Sequence, residues 1–139
     1  MKIKDVMTQD VRFVTPETPL SEIARQMRDE DIGVVPVVEN DRMIGMVTDR
    51  DIVVRVVAED KDVRSATARD AMSPQVLYCF EDQSVEEVLE NMAENQVRRL
   101  PVVNREKRLV GFVSLGDLSK AAKKKAGDAL KEISQPTHH

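Results

Sequence analysis

A sequence that repeats itself must fold into something that can be built twice. Asp5-Val6-Met7 returns as Asp70-Ala71-Met72, an offset of 65 residues. At that spacing Val11 aligns with Val76, Phe13 with Tyr78, Glu22 with Glu87, Met27 with Met92, and Pro36-Val37-Val38 with Pro101-Val102-Val103. One extra residue near Lys107 moves the offset to 66, after which Arg42 aligns with Arg108, Gly45 with Gly111, Val47 with Val113 and Asp51 with Asp117. The match runs from residue 5 to about residue 52 with a single gap. A unit of ~60 residues buries only about 60% of the surface its unfolded chain exposes, so each half needs the other.

Both halves read as the same string of elements. Short β-rich runs at 11–14 and 76–80 come first. A helix follows, with Thr18 expected as its cap and Pro19 at its first position. In the second half Ser84-Val85-Glu86-Glu87 has capping-box spacing. The apolar stripes coincide: Leu20, Ile23, Ala24 and Met27 against Val85, Val88, Leu89 and Met92. Two strands joined by a polar turn come next, 34–38 with 43–47 and 100–103 with 109–113. Pro36 and Pro101 inside the leading strands predict an amide at an edge or end of the sheet. A second helix is expected from Thr48 or Ser114, turning Ile52, Val53, Val56 and Val57, or Leu118, Ala121 and Ala122, inward. The class is therefore α/β, of the α+β kind: a β-α-β-β-α unit used twice. The expected division is 1–58 for the first repeat, 59–69 for a linker, 70–122 for the second repeat, and 123–139 for a Lys-rich tail.

Composition removes several kinds of chemistry. His138 and His139 are the only histidines and close the chain as a tag remnant does, so no internal His can serve a catalytic triad or ligate a metal. The single cysteine, Cys79, lies in an apolar run and cannot form an internal disulfide. Neither paired carboxylates nor metal-ligand spacing is evident, so no catalytic residue and no metal site is expected, and an enzyme is the least favoured reading. A net charge of −4 and only four aromatic residues give nucleic acid little to bind, although the lysines from Lys120 onward would add a salt-sensitive attraction. No apolar run approaches the ~20 residues of a membrane span. Met1-Lys2-Ile3-Lys4-Asp5 has no signal-peptide core, so a cytoplasmic protein without membrane contact is expected.

The residues with most chemical content are Gly45-Met46-Val47-Thr48-Asp49-Arg50-Asp51 and Gly111-Phe112-Val113-Ser114-Leu115-Gly116-Asp117. Both read Gly-apolar-Val-(Thr/Ser)-x-x-Asp at a strand-to-helix junction. A hydroxyl followed three residues later by Asp caps a helix. The same geometry offers free amides to a phosphate and a carboxylate to ribose hydroxyls. The two readings do not exclude each other.

On these residues the sequence resembles a tandem pair of CBS domains, the regulatory modules named after cystathionine β-synthase. It is similar in particular to small stand-alone bacterial two-CBS proteins, the group that includes hypoxic-response proteins. The resemblance spans roughly residues 1–122 and rests on Asp-x-Met, the Val-Pro-Val-Val and Leu-Pro-Val-Val strands, and the two Gly-x-Val-(Thr/Ser)-x-x-Asp motifs, each present twice and in order. It implies two halves packed about a pseudo-twofold axis, with clefts between them for an adenine-containing ligand such as AMP, ADP, ATP, NAD or S-adenosylmethionine. Carried onto this chain, one cleft would use Thr48 and Asp51 on ribose and phosphate, with an adenine slot from Val76, Tyr78, Arg99 and Pro101. The other would use Ser114 and Asp117, with a slot from Val11, Phe13, Val34 and Pro36. Arg50, Arg98 and Arg99 are assigned to the Thr48 cleft, which is therefore expected to bind phosphate more tightly.

The leading expectation is a non-catalytic sensor of adenine nucleotides. With 139 residues and no fused effector, its output would pass to an effector protein in trans or to its own homodimer. A structural or interaction protein with empty or degenerate clefts is the alternative.

Overall fold

A computed structural model describes residues 1–74 and 77–133, the side chains of 125–133 excepted. Val76, expected at the start of a strand and in an adenine slot, lies outside the described residues, as do His138 and His139. The fold is mixed α/β. In the first half, α1 (Leu20–Glu30) leads to β1 (Val34–Glu39), β2 (Arg42–Thr48) and α2 (Asp49–Ile52), which widens into a π-helical turn (Val53–Val57). In the second, α3 (Ala68–Ala71) and β3 (Cys79–Phe80) precede α4 (Val85–Asn95), β4 (Arg99–Val103), β5 (Leu109–Ser114) and α5 (Leu115–Ile133). The long helix α5 continues to Ile133, past residue 123, where the sequence suggested that a separate tail begins.

The first-turn chemistry differs between the two leading helices. Ser84 Oγ accepts from the Glu87 amide at 3.1 Å while Glu87 accepts from Ser84, the expected capping box. Thr18 does not cap α1: its hydroxyl accepts from the Thr15 amide at 3.0 Å, and Pro19 stands just outside the helix. The reason is tertiary, because the Thr18 carbonyl accepts from the Ala68 amide at 2.9 Å and holds the chain in another direction. Both helices end at left-handed residues one repeat apart, Asp31 (φ 52°) and Gln96 (φ 54°). Leu20, Ile23, Met27 and Val85, Val88, Met92 are buried as expected, whereas Ala24 is exposed and Leu89 half-buried. Each helix lies on a sheet of two or three strands, and so narrow a surface covers only part of the apolar stripe.

β1 and β2 pair antiparallel, Val34 opposite Thr48, and β4 and β5 repeat the pairing with Arg99 opposite Ser114. The prolines set where the first strand of each half stops. Val14 donates to the Pro36 carbonyl at 3.0 Å and accepts from Val38 at 2.8 Å, a parallel ladder in which the next bond would need the amide that Pro36 lacks. The run 11–14 therefore pairs through Val14 alone. Pro101 holds the same place in the second half, and β3 is correspondingly short.

The two halves exchange their lead-in segments. Ile3 is fully buried in the second core with Cys79, Val88, Leu100 and Leu118, and Ala66, Ala68 and Ala71 are buried in the first with Leu20, Ile23 and Val35. Part of the 59–69 stretch, expected as a linker, is thus core of the first half. The backbone contacts are reciprocal: Thr8 pairs with Phe112 and Ser73 with Met46, Lys2 with Ser84 and Thr67 with Pro19. Each contact is its partner's image at the repeat offset, which is what a pseudo-twofold relation between halves produces. The motif glycines make the crossing possible. A Cβ on Gly111 would lie 2.6 Å from the Thr8 carbonyl oxygen, and one on Gly45 would lie 2.9 Å from that of Ser73.

The second helix of the first half departs most from its expected burial. The backbone widens where Ala58 donates to the Val53 carbonyl, which rotates the following side chains. Only Val56 is buried, and Val53, Val54 and Val57 are 57%, 48% and 53% exposed. In α5 Leu118 and Ala121 are buried and Ala122 is exposed.

Two expectations about stability follow. Gly111→Ala should cost ~1–3 kcal/mol in urea unfolding, since backbone must shift to admit the methyl; an unchanged midpoint would show that the crossing segment yields freely. Burial also pushes the Cys79 thiol from 9.0 up to about 12. Folding then favours the neutral thiol, a contribution intact below pH 9 and lost as pH rises towards 12. Stability above pH 9 should fall by about 1.4 kcal/mol per pH unit more steeply than in Cys79→Ala; parallel pH profiles would contradict this.

Candidate functional site

Both motif junctions form as reciprocal caps. The Thr48 amide donates to Asp51 Oδ2 and the Asp51 amide to Thr48 Oγ1, each at 3.0 Å. The Ser114 and Asp117 pair repeats this at 3.1 Å in both directions. Asp51 Oδ1 also lies 3.6 Å from Arg55 Nε. The cap therefore accounts for one oxygen of each carboxylate, while the helix still directs its first amides outward. Arg50 is exposed, and its backbone amide is held by Asp49 Oδ1 at 2.8 Å.

The clearest concavity lies between the halves, where the prolines stop the parallel ladders. It has a volume of about 240 Å³, and its apolar walls include Val34, Val35 and Pro36 from β1 facing Leu100 and Pro101 from β4, with Met46 and Phe112 behind. These residues form pairs under the internal repeat, so the cleft sits on the pseudo-twofold axis. Its polar residues do not. Thr8, Asp10, Arg12 and Glu30 line it from the first half, whereas the aligned positions in the second half are Ser73, Gln75, Leu77 and Asn95. Arg99 completes the lining, its guanidinium 5.5 Å from the Phe112 ring centre. An apolar slot thus meets two guanidinium groups and two carboxylates.

Four of the sequence candidates meet in this cleft: Val34, Pro36, Arg99 and Pro101. The register places Arg99 opposite Ser114 in its own half, and the Arg98 carbonyl accepts from the Leu115 amide at 2.8 Å. The Arg99 charge therefore stands beside the Ser114 strand end and across from β1. The sequence reading assigned Arg99 to the Thr48 cleft; the structure puts it in the wall of the central cleft, which neither Thr48 nor Ser114 lines. Val11 and Phe13 line a separate groove with Asn104, Arg108 and Leu109. Tyr78 faces an open groove beside Glu87 and Asn91 of α4, and Lys107 lies 5.4 Å from its ring centre. Thr48, Arg50, Asp51, Arg98, Ser114 and Asp117 are not in the wall of the central cleft.

Sequence reasoning missed Arg12, Glu30, Asp10 and Phe112. Arg12 stood within the 11–13 run, and its alignment with Leu77 was the available signal of an unequal cleft. Arg12 Nη1 is ion-paired with Glu30 Oε1, and both Glu30 oxygens are shielded from solvent. The other side of the same guanidinium, Nε and Nη2, lies 3.4 Å from the exposed Asp10 Oδ2. Among the described residues, no three His, Cys, Asp or Glu side chains are grouped to hold a metal ion, and no helix is long and apolar enough to cross a membrane.

Comparison with known proteins identifies the family and the fold. The family model described as CBS domain matches residues 3–58 and 68–124. YlbB of Bacillus subtilis (strain 168) is 44% identical over 138 residues, 96% of this chain and 92% of that protein. The crystal structure of Hypoxic Response Protein I with two coordinated zinc ions superposes with a TM-score of 0.76 at 37% identity, covering 87% of this chain and 98% of that one. CBSX2 in complex with AMP has the same fold, with a TM-score of 0.75 at 20% identity, over 90% of this chain and 98% of that one.

Proposed function

The chain belongs to the CBS-domain family, and from that premise we propose that it is a non-catalytic regulatory module that takes an adenine nucleotide into the cleft between its two repeats. The observation that carries this reading is the composition of the cleft. An aromatic base needs a flat apolar slot, and Val34 to Pro36 facing Leu100 and Pro101 supply one. A phosphate needs charge-assisted donors at the margin, and Arg12 and Arg99 supply them. At about 240 Å³ the space suits one nucleoside with its phosphate at the rim, which favours AMP, ADP or ATP over NAD or S-adenosylmethionine. Ser114, opposite Arg99, and Thr48, opposite Val34, stand one strand away from the cleft wall with Asp117 and Asp51, and each pair offers a hydroxyl and a carboxylate to the ribose. The fold of CBSX2, found with AMP, supports the ligand class.

Binding at the seam alters the relation between halves, so the output is a change in how the chain meets its partners. Val53, Val54 and Val57 form an exposed apolar strip on the π-helical turn. A second copy of the chain covers it in this reading, with an effector protein in trans recognising the dimer. An empty-cleft interaction protein remains the competing reading, favoured by the fact that both motif pairs are already satisfied as caps.

A thermal-shift panel separates the two readings. At 100 times its Kd a ligand stabilises the fold by ~2.7 kcal/mol. AMP, ADP or ATP should raise the melting temperature more than NAD or S-adenosylmethionine, and no shift with any of them would leave the interaction protein. Light scattering at tens of micromolar should give twice the chain mass, with Val54→Asp reducing it to one; a monomer before substitution would rule out the dimer.

A further inference from the structure

Arg12 is held by two carboxylates of very different character. Glu30 presents oxygens shielded from solvent, and such a charge is costly to leave without its counterion. Its pairing with Arg12 Nη1 therefore fixes one end of the guanidinium. Asp10 is the opposite case. Its side chain is 66% exposed, and it meets Nε and Nη2 through one oxygen at 3.4 Å. An exposed pair of that kind contributes ~0–1 kcal/mol. The Nε and Nη2 edge is also the one best shaped for two parallel bonds to a phosphate. All three residues line the central cleft, and the residues aligned with them in the sequence of the second repeat are Gln75, Leu77 and Asn95.

We propose that Asp10 is a built-in competitor for the anionic group of the cleft's ligand. It occupies the exchangeable edge of Arg12 when the cleft is empty and yields it to a phosphate when the cleft fills, while Glu30 keeps the guanidinium in position. This rests on the cleft being an adenine-nucleotide site. It adds that discrimination between a nucleotide and its nucleoside is set by the Asp10–Arg12 pair. The exchange transfers no atoms: one carboxylate leaves the guanidinium for water, and one phosphate takes its place. Asp10 thereby raises the nucleotide concentration at which the cleft fills.

Calorimetry with AMP and adenosine tests this on the full chain. The ratio of AMP to adenosine affinity should rise about threefold in Asp10→Asn. In an Arg12→Gln background the same substitution should leave the ratio where Arg12→Gln alone sets it, since a coupling needs both partners. An unchanged ratio in Asp10→Asn, or an equal rise in both backgrounds, overturns the competition. A second arm needs no nucleoside and no Arg12 variant. Inorganic phosphate titrated against the Arg12 Nε–H resonance should reach its midpoint at lower concentration in Asp10→Asn, and an unmoved midpoint also overturns the proposal. Phosphate that moves with Asp10→Asn, in a chain that binds neither AMP nor adenosine, would overturn the nucleotide reading while leaving the competition in place.

Discussion

The whole structure depends on an exchange of short segments. Neither half closes its own core: Ile3 fills the second, and Ala66, Ala68 and Ala71 fill the first. Because each lead-in strand lies along the other half's last strand, Gly45 and Gly111 must carry no side chain. Two units of ~60 residues thereby share one stabilising surface, which neither could supply alone. The pseudo-twofold axis, the seam and the cleft all follow from that reciprocity.

The prolines convert the seam into a cavity. A residue that cannot donate ends the parallel ladder at Val14 in one half and at Cys79 in the other. Backbone that would otherwise be sealed by a continuing strand is left open, lined by valine, leucine and the prolines themselves. Symmetry then supplies the apolar walls in pairs, and divergence between the repeats supplies the charges. Arg12 against Leu77 and Glu30 against Asn95 are the substitutions that make the two sides of the axis unlike.

Much of this was legible in the sequence. The offset of 65 then 66 residues gave both hairpins, and the extra residue falls at Lys107, which adopts a left-handed turn conformation (φ 64°). The box at Ser84, the hydroxyl–Asp pairs at both motif junctions and the buried Cys79 were readable because they depend on neighbours in sequence. What was not readable depends on partners far along the chain. Thr18 loses its capping role to a backbone contact with Ala68, 50 residues on. The stretch 59–69 looked like a linker because its few apolar residues are alanines and Val63, small enough to enter a core without showing a stripe. Val53 and Val57 looked inward because the pattern assumed an α-helical period that the π-helical turn breaks. Arg12 and Glu30 went unread because only the fold brings them to the wall that Arg99 also lines.

In the proposed reading the module acts through its seam, since a ligand that touches both repeats would have differential affinity for their relative arrangements. Hydrogen exchange on the full chain, with and without AMP, reads that coupling directly. Slowed exchange should appear together in residues 8–12, 32–36 and 99–101, drawing on both halves at once. Protection confined to one repeat, or none along the two proline strands while AMP is bound, would contradict a ligand site built on the seam.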